Sequence, residues 1–147
     1  MPGLPFKFQC KRILVHLSQD SIVKFEGIYA IVNAANEELK HIGGVAFSIY
    51  YAAGQKMNDE CIKHVKANGP LRVSENIVTT AGNLKYKGII HSVGPKWAGY
   101  HQKEKCEIQL HQTIFNILHT ADKHSFSKIA IPAISAGEYT CIMYTNY

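Results

Sequence analysis

The sequence predicts one α/β domain, a mixed or mostly parallel sheet layered against helices. Three observations carry that expectation. Short apolar runs of strand length alternate with segments whose apolar residues recur at helical spacing. Several of those runs are apolar on both faces, as strands buried between two layers are. Two of them end in small-residue, glycine-containing bends, the usual way an α/β chain leaves a strand for a helix.

In chain order, Arg12 to Leu17 holds Ile13-Leu14-Val15, suited to a buried strand. Asp20-Ser21-Ile22-Val23 falls in the connection to the next strand, Ile28 to Val32. Gly44 to Ala53 reads as a helix, because Ala46, Ile49 and Ala53 recur at i, i+3, i+7, and Gly54 ends it. Met57, Cys61 and Val65 continue at i, i+4, i+8 on a second helix, stopped by Asn68-Gly69-Pro70. Asn76 to Thr80 is β-branched and strand-like, Ala81-Gly82-Asn83 is a turn, and Gly88 to Val93 is a strand ended by Gly94-Pro95. Cys106 to Ala121 is the longest helix, striped by Leu110, Ile114, Ile117 and Ala121, and Ile129 to Ala133 is a short, wholly apolar strand.

Length and composition bound the function. The 147 residues make at most one domain, long enough to bury a core, and 46% apolar with 18% charged residues is ordinary globular material. No apolar stretch reaches the roughly 18 residues that span a bilayer. The N-terminal Met-Pro-Gly-Leu-Pro-Phe-Lys has no signal-peptide core, so the expectation is a soluble, monomeric protein of the nucleus or cytoplasm. Cys10, Cys61, Cys106 and Cys141 are widely spaced, which argues against a zinc ribbon and a secreted disulfide scaffold. Cys61 with His64, and Cys106 with His111, can each face one way on a helix, but no second pair completes four ligands, so no metal is expected. A net charge of +5 favours anionic partners, yet the basic residues are scattered and Lys103-Glu104-Lys105 is interrupted by acid. A solvated face is expected there rather than a nucleic-acid patch.

The chemistry lies in the two bends. Ile31-Val32-Asn33-Ala34-Ala35-Asn36 places two small residues between carboxamides, and Gly43-Gly44-Val45-Ala46 then opens a helix. Strand, small-residue turn, glycine pair and helix start bring bare backbone N–H groups up to a phosphate. Ile129 to Ile134 runs into Ser135-Ala136-Gly137, small-residue chemistry of the same kind. Two such bends in one chain suggest a ligand with two phosphates.

The segment Asn33-Ala34-Ala35-Asn36-Glu37-Glu38-Leu39-Lys40-His41-Ile42-Gly43-Gly44-Val45-Ala46 closely resembles the first ligand loop of macrodomains, and Ile131-Pro132-Ala133-Ile134-Ser135-Ala136-Gly137-Glu138-Tyr139 resembles their second. His91-Ser92-Val93-Gly94-Pro95-Lys96-Trp97 lies between them, as it does in that family. The similarity is closest to macrodomains of the multi-macrodomain poly(ADP-ribose) polymerase proteins. It covers about residues 12 to 139, leaving 140–147 as a short non-homologous tail. It implies a three-layer α/β/α domain with a mixed central sheet whose last helix and strand are missing, since a further helix and strand need roughly 30 residues. The chain is therefore expected to be a truncated or alternatively ended form.

The resemblance also implies a ligand, ADP-ribose, free or attached to protein, and no cofactor. By it, Asp20 is the acid that takes the adenine amino group, with Ser21 and Ile22 beside it; its other reading is a turn or cap residue. Asn36 is the carboxamide that holds the distal ribose, while Asn33 is structural, bonding loop backbone. Gly43, Gly44, Val45 and Ala46 present amides to one phosphate, Ser135, Ala136 and Gly137 to the other, and Tyr139 flanks the distal ribose.

Two activities follow from the resemblance: a reader that binds ADP-ribose on proteins, or a hydrolase that removes it from acidic side chains. Ala46 stands where one hydrolytic branch of the family carries an aspartate. Asn36 and His41 match another hydrolytic pattern, and both are candidate catalytic residues, although Ile42 replaces a glycine of that pattern. His41 is the one nearby side chain that titrates in a useful range; its alternative is a loop histidine bonding backbone. No transferase signature is present.

Overall fold

The computed structural model describes residues 6–97 and 99–136. The chain runs β1 (Phe6–Cys10), β2 (Ile13–Leu17), a 3₁₀ turn (Ile22–Lys24), β3 (Ala30–Ala35), α1 (Gly44–Ala53), α2 (Gln55–Asn68), β4 (Asn76–Thr79), β5 (Gly88–Val93), α3 (Lys103–Lys123) and β6 (Ile129–Ala130). Four strands form a mixed sheet in the order β4-β5-β3-β6; β5, β3 and β6 are parallel and β4 is antiparallel to β5.

Alternation along the central strands sorts the layers. Ile31 and Ala35 of β3, with Ile89 and Val93 of β5, pack with Ile49, Ala53, Met57 and Cys61 of α1 and α2. Ala30, Val32 and Ile90 point the other way, onto Ile117 and Ala121 of α3, with Phe126 and Ile134. Both faces of β3 and β5 are thus covered, which is why their sequences are almost unbroken apolar runs. The three-layer α/β/α expectation holds. Among the described residues no helix is long and apolar enough to cross a membrane.

Three expectations need correction, and one strand has no counterpart in the sequence reading. The Ile13–Leu17 strand exists but is not buried: it pairs only with β1, in a hairpin apart from the main sheet, leaving Ile13, Leu14 and Leu17 about half exposed or more. β1 itself carried no turn signal, because the bend is made by Lys11 at φ 52° rather than by Asn or Gly. β6 stops after Ala130, short of Ala133, as Pro132 has no N–H to donate. β3 extends through Asn33-Ala34-Ala35, which pair with His91, Ser92 and Val93, so the bend begins at Asn36.

Candidate functional site

Because β3, β5 and β6 are parallel, the segments that follow them leave at the same end of the sheet. These are residues 36–43, 94–97 and 131–136, and direct bonds join them. Lys96 Nζ donates to both Glu37 carboxylate oxygens, at 3.0 and 3.2 Å. Ser135 Oγ donates to the Pro95 carbonyl at 2.8 Å. The segment after β5 is therefore a brace between the two candidate ligand loops. In the sequence Gly94-Pro95 ends a strand and belongs to the segment between the two resembling loops. The reason for the glycine is spatial: a Cβ at Gly94 would lie 2.4 Å from Ser135 Oγ and 2.5 Å from Ile134 Cγ2.

The first loop is shaped by Asn36. Its Oδ1 accepts from the Lys40 N–H and its Nδ2 donates to the Lys40 carbonyl, both at 2.8 Å, closing a five-residue ring. A carboxamide has two donors and two lone pairs, so one N–H and one lone pair of Asn36 are left for another partner. Glu37 is anchored beside it. Burial alone would raise its carboxyl, but its own backbone N–H and then the Lys96 ammonium outweigh burial and hold it below its ordinary range.

The loop enters α1 through Gly43 and Gly44. Gly43 is extended (φ −170°, ψ 174°) and caps the helix with no side-chain hydrogen bond, so among the described residues the first-turn amides have no side-chain cap. A Cβ at either glycine meets nothing within 4 Å. Gly44 has φ 56°, a left-handed conformation that glycine adopts without cost. Gly43, Gly44 and Val45 are exposed, whereas Ala46 is turned into the core. The outcome is an unobstructed helix N-terminus, where backbone amides and the positive end of the dipole favour an anion.

The second loop is tighter. Ser135 is buried at φ 61°, a conformation that costs an L-residue roughly 1–2 kcal/mol, and its hydrogen bond to Pro95 compensates. Ala136 N donates to the Ala133 carbonyl at 3.4 Å, and Ala136 is exposed. Gly137 and Tyr139 lie outside the described residues, as does the 140–147 tail.

Asp20 is exposed, and its Oδ1 accepts from the Ser21 N–H at 2.7 Å, an interaction of the turn-forming kind. Ser21 precedes the 3₁₀ turn and Ile22 opens it; that turn packs on α1 and is tied down by Tyr86 Oη, which donates to the carbonyls of Ile22 (3.2 Å) and Phe25 (3.0 Å). Ile22 thus belongs to a turn that packs on the helix carrying the glycine loop, and Asp20 and Ser21 immediately precede that turn.

Two residues differ from their expected surroundings. Asn33 does not bond loop backbone; it is wholly buried in β3, where its Nδ2 meets Nδ1 of its cross-strand partner His91 at 3.0 Å. Because the Thr79 hydroxyl donates to the Thr80 carbonyl, His91 Nε2 carries the proton and donates to Thr79 Oγ1 at 2.8 Å. Burial, and then the neighbouring His41, depress the His91 imidazolium to about pKa 3. The His41 ring is stacked 5.8 Å from Tyr50 and tilted 5.7 Å from His91, with both ring nitrogens buried and without a hydrogen-bond partner. Burial lowers its pKa too.

Comparison with known proteins agrees with this geometry. The Macro domain family model matches residues 32–145. The human protein mono-ADP-ribosyltransferase PARP14 is 40% identical over 109 residues, 74% of this chain but 6% of its own length. An O-acetyl-ADP-ribose deacetylase of Escherichia coli K12 is 37% identical over 125 residues, covering 85% of this chain and 69% of the enzyme. A solved Oceanobacillus iheyensis macrodomain with ADP superposes at a TM-score of 0.84 with 31% identity, over 93% of this chain and 72% of that one. The chain spans a small fraction of PARP14 and about two thirds of the Escherichia coli deacetylase. It belongs to the macrodomain family.

Proposed function

We propose that this domain binds ADP-ribose, free or carried on proteins, as a reader module. The observation that carries the reading is the Gly43–Gly44 entry to α1, where uncapped amides face open space and a Cβ would project into it. One phosphate docks on these amides; the other meets the Ser135–Ala136 backbone, held in reach by the Lys96–Glu37 and Ser135–Pro95 brace. The spare N–H and lone pair of Asn36 take the distal ribose hydroxyls. Asp20, just before the turn that packs on α1, takes the adenine amino group in this reading. Solved macrodomains with ADP and with ADP-ribose support the ligand class. Charge-assisted amide contacts of roughly 1.5–3 kcal/mol each, offset by ordering of the ligand, give an affinity on the micromolar scale.

A second reading, hydrolysis of an ADP-ribose ester, draws support from the similarity to O-acetyl-ADP-ribose deacetylases. Against it, Ala46 supplies no carboxylate and the His41 nitrogens face inward, away from solvent. The reader function therefore fits better.

Calorimetric titration with ADP-ribose, ADP and AMP tests the assignment. Binding is expected to weaken in that order, and Asn36→Ala is expected to erode the preference for ADP-ribose over ADP. Equal affinity for all three would overturn it. Incubation with an ADP-ribosylated acceptor separates reader from hydrolase: label loss that disappears in Asn36→Ala would establish catalysis.

A further inference from the structure

Beneath the first loop, three elements far apart in sequence bring a thiol and two imidazoles together. His41 comes from the loop, Cys61 from α2 and His91 from β5, and their ligand-capable atoms all lie within 4.8 Å of one another. We infer that His41, Cys61 and His91 form a binding site for a thiophilic d¹⁰ cation of the Zn²⁺ type, which clips the ligand loop to the sheet and to α2.

The donor set suits that chemistry. One thiolate with two imidazoles is a borderline-soft combination, and Met57 Sδ, 3.8 Å from Cys61 Sγ, stands by as a further soft neighbour. Zinc–nitrogen bonds of about 2.0 Å and zinc–sulfur bonds of about 2.3 Å put tetrahedral donors between 3 and 4 Å apart. Cys61 Sγ and His91 Nε2 are already 3.8 Å apart. The loop that carries His41 has to settle by less than a bond length.

Orphaned polar atoms point the same way. Both His41 nitrogens are buried with no partner, which normally costs a protein about 1–3 kcal/mol per group and calls for an explanation. A metal bond to one of them supplies it. Asn33 Oδ1 is also buried and unpartnered. When His91 ligates through Nε2, its proton moves to Nδ1, and a half-turn of the Asn33 carboxamide lets Oδ1 accept it. That carbonyl–histidine–metal relay is the usual way a ligating imidazole is oriented. Thr79 keeps its bond to the Thr80 carbonyl throughout. Burial, and then Glu60, hold the Cys61 thiol protonated, up at about 12. Uptake therefore forms the metal–sulfur bond as the thiol proton leaves to solvent.

The test uses the full chain with the exposed Cys10 replaced by serine. Titration with Co²⁺ is expected to give, at one equivalent, a sulfur-to-cobalt charge-transfer band with intense tetrahedral visible bands, which Zn²⁺ abolishes. Cys61→Ser is expected to remove the charge-transfer band. His41→Ala, at a half-buried loop position, is expected to keep the band and raise the Co²⁺ Kd about tenfold or more. Absence of the band in folded protein, its persistence in Cys61→Ser, or an unchanged Kd in His41→Ala would each overturn the site. None of these readouts depends on whether the loops above take ADP-ribose.

Discussion

Replacing Gly43 by serine separates what the glycine does for the ligand from what it does for the fold. Gly43 is extended, so serine adopts its backbone without strain, and the new Cβ enters empty space. Serine is a better helix cap than glycine by a few tenths of a kcal/mol. Losing glycine's freedom in the unfolded chain adds about 0.4–1 kcal/mol. The free protein is therefore expected to gain about 0.5–1 kcal/mol, a melting point higher by about 1–4 °C. Ligand binding moves the opposite way. The serine hydroxyl takes a first-turn amide, and its Cβ occupies volume assigned to the phosphate. One charge-assisted hydrogen bond lost, at about 1.5–3 kcal/mol, raises the ADP-ribose Kd about ten- to a hundredfold. Calorimetry and a thermal melt on the same preparation read both effects. A Kd within about twofold of the parent, in a variant whose melting point has not fallen, would refute the assignment of these amides to phosphate.

Three other outcomes follow from the brace and the buried histidines. Gly94→Ala drives a Cβ into Ser135 and Ile134, and is expected to cost about 1–3 kcal/mol in urea unfolding and to weaken ADP-ribose binding with it. Ser135→Ala leaves the buried Pro95 carbonyl without its donor; a loss of about 1–2 kcal/mol is expected, with binding weakened less than in Gly43→Ser. His91 is depressed from 6.5 to about 3, so the unfolded chain binds a proton that the native state refuses. Its contribution is complete above pH 6.5 and lost as pH falls toward 3, at a slope approaching 1.4 kcal/mol per pH unit, or about one proton, in urea midpoints converted to free energy. His41 shifts the same way, and Glu37 adds to the loss only below its ordinary 4.5. A flat profile from pH 6.5 to 4.5 would contradict the neutral buried imidazole.

How much was legible in the sequence depended on the range of the interaction. The α1 and α2 spacing and the apolar run of β5 are local patterns, and those elements stand where the sequence placed them, whereas β3 runs three residues past its expected end. The hairpin was misjudged because apolarity does not say which neighbour covers a strand; Leu14 is 62% exposed despite sitting in the most apolar run of its segment. The two asparagines of Asn33-Ala34-Ala35-Asn36 show the limit within one motif. Which of them clamps the loop depends on where β3 ends, and that is decided by cross-strand pairing with His91–Val93, over fifty residues away. The brace and the His41–Cys61–His91 cluster carry no local signal, since they join residues from different elements. The resemblance names candidate ligand loops and says nothing of the cluster beneath the first.

The pairing order of the sheet has a consequence for synthesis on the ribosome. β3 waits for β5 on one flank and for Ile129 and Ala130 on the other. The middle of the molecule therefore stays open-sided until nearly the whole described chain has emerged. Contacts of such long separation close slowly, and an unpaired apolar strand invites a neighbour's strand in the meantime. Nascent chains of this protein are thus exposed from the release of β3 until the arrival of β6, with one flank of β3 still open after β5 has paired, and a holding chaperone would act over that whole interval.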